Sequence, residues 1–195
     1  MRIATIAAMF FCSAAFSVSA LAAPDTNPAA RCEVCHGLHG DSKISGTPRL
    51  NGQLQDYLLL RLREFADPTR NTPHATYQMW ETATSLGDRI AHDIALYFST
   101  QTPTSPAPSG ALSAAGERIY RQGAGPEIPA CQQCHGVSGE GSGIAARLAG
   151  QHAAYLEDQL GAFMLGARVS RPMNKHAWHM SPDQFKALSA YLARD

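Results

Sequence analysis

Two short stretches decide how this chain is read: Cys32-Glu33-Val34-Cys35-His36 and Cys131-Gln132-Gln133-Cys134-His135. CxxCH is the attachment signature of a c-type haem. Its two thiols are spaced to form thioethers with the two vinyl groups of one porphyrin, and the adjacent histidine turns its ring onto the iron. One match of five residues arises by chance often enough; two in one chain point to two covalent haem c groups.

The rest of the cysteine inventory agrees. The fifth cysteine, Cys12, lies in an N-terminal segment that begins Met1-Arg2, runs apolar from Ile3 to Phe16 and ends Ala20-Leu21-Ala22-Ala23. That pattern is a secretory signal peptide, residues 1–23, cleaved near Ala22 or Ala23, and it places the mature protein in the periplasm. The apolar run is short for a membrane span. Cleavage leaves only the four motif cysteines. Disulfides have no use for the histidine that follows each pair, and three donors within five residues are a poor layout for one tetrahedral zinc.

The 195 residues are 45% apolar and 16% charged with zero formal net charge, a soluble globular composition. Without clustered Lys and Arg, nucleic acid is not an expected partner, and contact with membrane complexes is at most transient. Residues 24–102 hold seven basic and nine acidic side chains and residues 103–195 hold eight and seven, a mild asymmetry suited to a small, salt-sensitive interface.

The chain is a tandem repeat. Cys32, Cys35 and His36 match Cys131, Cys134 and His135 at an offset of 99. Arg49-Leu50-Asn51-Gly52-Gln53 with Tyr57-Leu58 matches Arg147-Leu148-Ala149-Gly150-Gln151 with Tyr155-Leu156 at 98, as Phe65 matches Phe163. Ile94-Ala95-Leu96-Tyr97-Phe98 matches Leu188-Ser189-Ala190-Tyr191-Leu192 at 94. Offsets change only in loop-like stretches, where length varies freely. The expected organisation is one domain at 24–102, a Pro-rich semi-extended linker at 103–113, and a second domain at 114–195. Each is small enough that a protein-only core is marginal, so a buried porphyrin supplies missing apolar surface.

Both units read as all-α. Helical spacing covers Gln53 to Ala66, Asp88 to Thr100 and Gln151 to Leu165, and Ala114 to Arg121 is a further short helix with Tyr120 turned inward. Ser181-Pro182-Asp183-Gln184 is a helix start signal, with Ser as N-cap and Gln three residues on.

His36 and His135 supply one axial ligand each. The second ligand comes from Met, His, Cys or Tyr, and one kept through duplication sits at equivalent positions. At the offset of 94, Met79 maps onto Met173, and no other methionine or non-motif histidine has such a counterpart. Both lie in stretches that read as loops. Core filling is the commoner use of methionine, and His74, His176 and His179 form the competing bis-histidine set. His39, His92 and His152 read as surface or haem-edge residues.

The paired CxxCH motifs, the RLxGQ blocks followed by Tyr-Leu, the methionine ahead of an apolar-Tyr terminal helix and the duplication of all of them resemble the dihaem cytochrome c4 family over essentially the whole mature chain. The resemblance implies two tandem cytochrome c-type helical domains, each wrapped around one haem, with His36–Met79 and His135–Met173 ligation. It also implies a carbonyl that holds the haem histidine, contributed by Pro48 in the first unit and by Ala146 in the second. Arg49 and Arg147, beside these positions, are candidate propionate partners.

A periplasmic carrier of single electrons follows, with no substrate chemistry of its own. Its redox partners would be a terminal oxidase or a periplasmic dehydrogenase. Two alternatives stand beside it. One is a dedicated electron-transfer subunit of a dehydrogenase, for example of reduced sulfur compounds. The other is a dihaem peroxidase, which needs an iron with a vacant position.

Overall fold

The computed structural model describes residues 27–67 and 76–193. The signal-peptide reading and His74 lie outside the described residues. Among those residues the chain is helical, with isolated bridges at Ser142–Ala145 and Gln151–Ala193 in place of strands. No helix among them is long and apolar enough to cross a membrane.

In the first half, α1 (Ala30–His36) carries the first CxxCH and is followed by a 3-10 turn at Leu38–Gly40. Next come α2 (Gln55–Ala66), α3 (Thr76–Thr84) and α4 (Asp88–Ser99). The second half runs α5 (Gly110–Gln122), α6 (Gln132–His135), α7 (Ala153–Met164), α8 (Arg171–Trp178) and α9 (Pro182–Leu192).

The helices form where apolar residues recur on one face and stop where the backbone turns. Leu58 and Leu59 of α2 pack against Ala91, Ile94, Ala95 and Phe98 of α4, and Ala29 closes this cluster. The second core gathers Tyr120, Ile128, Leu156, Met180, Phe185, Leu188 and Leu192. α9 starts at a complete capping box: the Ser181 hydroxyl accepts from the Gln184 N–H, and the Gln184 side chain accepts from the Ser181 N–H at 2.8 Å. Tyr120 is fully buried, and its hydroxyl donates to the Gly136 carbonyl at 2.5 Å, tying α5 to the loop after the second CxxCH.

α5 crosses α9 at a point that only glycine permits. A Cβ on Gly116 would lie 1.9 Å from the Ala187 carbonyl oxygen. This contact brings two backbones together and sets how closely the helices approach.

The repeat is visible bond by bond. Leu50 N–H donates to the Gly40 carbonyl and Leu148 N–H to the Gly139 carbonyl, each at 2.8 Å. Gly52 N–H reaches the end of α4 at Phe98 (2.9 Å), as Gly150 N–H reaches the end of α9 at Leu192 (2.7 Å). Gly52 and Gly150 both have positive φ, 67° and 80°, and the connector lies directly over them. A Cβ at Gly52 would meet Pro103 at 2.5 Å, and one at Gly150 would meet the Thr104 carbonyl at 1.9 Å.

Two local expectations change. The Pro-rich stretch 103–113 is not connector throughout, because α5 begins at Gly110 and Ser113 is buried. Hydrogen bonds hold the connector in place: Asn51 Nδ2 donates to the Thr102 carbonyl (2.8 Å) and to Thr104 Oγ1 (3.0 Å), and Ala107 N–H donates to the Ala193 carbonyl. Met79 and Met173 sit on the short helices α3 and α8, not in loops, and Pro172 occupies the first turn of α8.

Candidate functional site

Each CxxCH forms a short helical turn that ends at a positive-φ glycine, Gly37 (79°) or Gly136 (83°), which releases the chain beneath the histidine. Cys32 and Cys131 are half-buried, Cys35 and Cys134 are exposed, and all four thiols are free of disulfides. Burial pushes the Cys131 thiol up to about 11.

His36 is buried, and its ring Nδ1–H donates to the Pro48 carbonyl at 2.9 Å. His135 donates in the same way to the Ala146 carbonyl at 2.8 Å. A carbonyl can only accept, so both rings carry their proton on Nδ1 and leave Nε2 as the free lone pair. Burial holds both imidazoles below their usual range, an effect only partly opposed by the carbonyl bonds, and keeps them neutral. Proline is not required for this contact, since Ala146 presents the same carbonyl.

Two thiols and an oriented, neutral imidazole are the donor set a haem c needs, and the set is present twice.

Met79 on α3 and Met173 on α8 are both half-buried. Of the competing histidines, His176 spends Nδ1–H on the Glu127 carbonyl (3.0 Å), while His179 is exposed beside the Glu127 carboxylate. Arg49 and Arg147 differ in their surroundings. Arg49 pairs with Asp41 (3.2 Å) and donates to the Gly150 carbonyl in the other half (2.8 Å). Arg147 is half-buried, its guanidinium depressed by burial, with Glu140 as the neighbouring charge.

A cluster of hydrogen bonds converges on Glu33, inside the first CxxCH, and has no copy among the described residues at the second. The Tyr97 hydroxyl donates to Glu33 (2.7 Å), joined there by the His39 N–H (2.8 Å) and Asn27 Nδ2 (3.1 Å). Desolvation would raise the Glu33 carboxyl, but these three donors outweigh it and hold it below the usual range. In the second half Gln132 replaces Glu33 and bonds the Arg121 carbonyl instead.

The two halves meet along a polar seam. Gln53 Oε1 accepts from Arg147 N–H (2.7 Å) while its Nε2 donates to the Arg147 carbonyl (2.9 Å). Gln151 repeats this on Arg49, at 2.9 Å and 3.0 Å. Both side chains are buried. His152, which reads from sequence as a surface or haem-edge residue, is 4% exposed and donates from Nε2 to the Ser42 carbonyl of the first half at 3.0 Å.

Sequence reasoning found Gln53 and Gln151 only as markers of the repeat. The available signal was their type: a glutamine kept in both copies, next to a turn glycine, is polar at a position where each half turns inward.

The Cytochrome c family profile matches residues 113–194. Among curated proteins, the chain is 38% identical to cytochrome c-552 of Acidithiobacillus ferridurans, over 83% of this chain and 72% of that one. It is 37% identical to a thiosulfate dehydrogenase electron acceptor of Thiomonas intermedia (strain K12), over 99% of this chain and 89% of that one. Among solved structures, Acidithiobacillus ferrooxidans cytochrome c4 superposes with a TM-score of 0.78 at 37% identity, covering 83% of this chain and 97% of that one.

Proposed function

The chain belongs to the cytochrome c4 family and is an electron carrier with two covalently bound haem c groups, and from that premise we propose the residues that hold them and the way they work. Cys32 and Cys35 bind one porphyrin, Cys131 and Cys134 the other. His36 with Met79 would hold one iron, and His135 with Met173 the other. When bound, each haem supplies reversible one-electron chemistry at its iron.

The chain's own residues do the rest. Pro48 and Ala146 engage the Nδ1–H of the two imidazoles and leave Nε2 for the iron, and the cores that include Phe98 and Leu188 pack against Cys32 and Cys131. The thioethers of Met79 and Met173, at equivalent positions in the repeat, would supply the second ligand to each iron and favour its reduced state. With both ligand positions of each iron so filled, the protein would pass electrons on and perform no substrate reaction of its own. The observation that carries this reading is the doubled histidine–carbonyl contact, which orients a neutral ligand ring in each half.

The domain division follows 24–102 and 114–195, with the second unit extended back to Gly110, where α5 begins. The mature protein is periplasmic, with residues 1–23 removed near Ala22 or Ala23. Its partners are redox proteins. A dehydrogenase of reduced sulfur compounds is the favoured electron donor, because a thiosulfate dehydrogenase electron acceptor resembles this chain over nearly its full length. A terminal oxidase is the matching acceptor.

Haem quantitation and spectroscopy of the purified protein test the assignment. Two haems per chain and the near-infrared band of methionine-ligated ferric haem are expected. One haem, or a bis-histidine spectrum, overturns it. Met173→Ala should lower one of the two potentials and leave the other nearly unchanged.

A further inference from the structure

The carbonyls that hold the two histidines belong to peptide units whose opposite ends are held from across the seam. In the 48–49 peptide, the C=O accepts from His36 Nδ1–H at 2.9 Å and the N–H donates to Gln151 Oε1 at 2.9 Å. In the 146–147 peptide, the C=O accepts from His135 Nδ1–H at 2.8 Å and the N–H donates to Gln53 Oε1 at 2.7 Å. Each histidine is therefore connected, through one peptide, to a glutamine of the other half.

The orientation of both glutamine amides is fixed. Each faces an N–H and a C=O of the same residue, Arg147 or Arg49, so a flipped amide would set oxygen against oxygen and hydrogen against hydrogen. Each Oε1 also accepts a second bond at 3.0 Å from the next backbone N–H, Leu54 or His152. The amides are buried, where such bonds are electrostatically stronger than in water.

A peptide is conjugated from N–H to C=O. Donation from its N–H moves electron density onto its oxygen and makes that oxygen the better acceptor, a cooperative gain of about 10–30% per bond. A stronger acceptor on Nδ1–H makes the imidazole more electron-rich at Nε2, hence a more basic ligand.

We propose that the two glutamines are crossed positioning residues: Gln53 polarises and orients His135, and Gln151 polarises and orients His36, so that each half sets the ligand strength of the other. The proposal rests on His36 and His135 being the axial ligands. The carbonyl bond to each histidine arises within its own half. The control of that carbonyl from the opposite half is specific to this seam.

The test is a crossed pair of substitutions in the haem-loaded protein. Gln53→Met keeps the length and removes the two bonds to Arg147 together with the one from the Leu54 N–H. It should raise the potential of the second site and move the His135 Nδ1–H proton resonance upfield in the reduced protein, with the first site unchanged. Gln151→Met should do the reverse. Gln53→Glu at pH 5, where a buried carboxyl stays protonated and can both donate and accept, should restore the wild-type resonance and potential.

A seam that merely loosens would move both sites together in both variants, and that outcome overturns the proposal, as does no change or a change confined to the glutamine's own half. If Gln53→Met does not fold, failure of the folded Gln53→Glu protein to keep the wild-type His135 resonance overturns it as well. The ligand reading has its own check: His36 and His135 ring resonances that lack haem-induced shifts in the wild-type protein would sink that reading independently.

Discussion

Arg168 donates from Nη2 to the Tyr57 hydroxyl at 2.8 Å across the seam, while its guanidinium lies 4.5 Å from the centre of the Phe163 ring. A buried arginine thus joins α7 to α2, and Gln159 takes a further bond at 2.6 Å. Burial disfavours this cation, but the Tyr57 and Tyr155 hydroxyl groups more than compensate and hold its charge. Nearby Arg61 is depressed by burial and by Arg168 itself, and it pairs with Glu64.

Replacement of Arg168 should therefore destabilise by more than a surface charge would. Arg168→Ala removes a stacked plane and two hydrogen bonds, with an expected loss of about 2–4 kcal/mol. Arg168→Lys recovers only part, because an ammonium cannot stack and fork at once. Denaturant unfolding of the haem-loaded protein measures both.

Tyr155 gives the molecule an alkaline limit. Burial, helped by the neighbouring Tyr57 hydroxyl and partly opposed by Arg168 and Arg61, pushes its phenol up to about 12. An unfolded tyrosine ionises near 10. Between these values the unfolded chain releases the proton first, so the folded state binds more protons and loses stability as pH rises from about 10 towards 12. Below that window Tyr155 contributes no pH dependence. Melting temperatures followed from pH 8 to 11.5 should fall in the upper part of that range, and Tyr155→Phe should flatten the fall.

Two glycines on helices should respond in opposite directions. Gly116→Ala drives a methyl into the Ala187 carbonyl and forces α5 away from α9, at about 1–3 kcal/mol or more. Gly161, inside α7, has nothing within 4 Å of its missing Cβ. Gly161→Ala should stabilise by about 0.5–1 kcal/mol through backbone entropy alone. Parallel thermal melts separate the signs.

The α9 start is worth a measurable amount by itself. Ser181→Ala removes the side-chain acceptor for the Gln184 N–H and should destabilise by about 1 kcal/mol. Ser181→Asp should keep most of the stability, because a carboxylate also caps and favours the positive helix end. Thermal denaturation of both variants against wild type decides it.

What could be read from sequence followed the range of the signal. CxxCH is a contiguous motif, and α2, α4, α7 and α9 are long enough for an apolar face to recur, so their spans lay within a few residues of observation. α3 and α8, at nine and eight residues, are too short to show periodicity, and Met79 and Met173 therefore read as loop residues. Ser113 looked like linker because proline and serine precede it, yet its burial comes from the packing of α5. His152 looked exposed because nothing local shows that Ser42, 110 positions earlier, covers it. The seam was hidden for the same reason: Gln53 and Gln151 find their partners 94 and 102 residues away, and no window along the chain contains both ends of either bond.

The reciprocity of those glutamines also bears on ancestry. A surface on which glutamine meets backbone, and the matching backbone meets the matching glutamine, has the isologous form that two identical chains adopt about a two-fold axis. A single half bearing the RLxGQ block holds everything that both bonds require. A tether between two such self-complementary copies replaces association in solution by a high effective concentration. Once the copies shared one chain, each was free to diverge, and the contacts that break the symmetry record it: His152 stands where the first half has Leu54, and Asn51 stands where the second has Ala149.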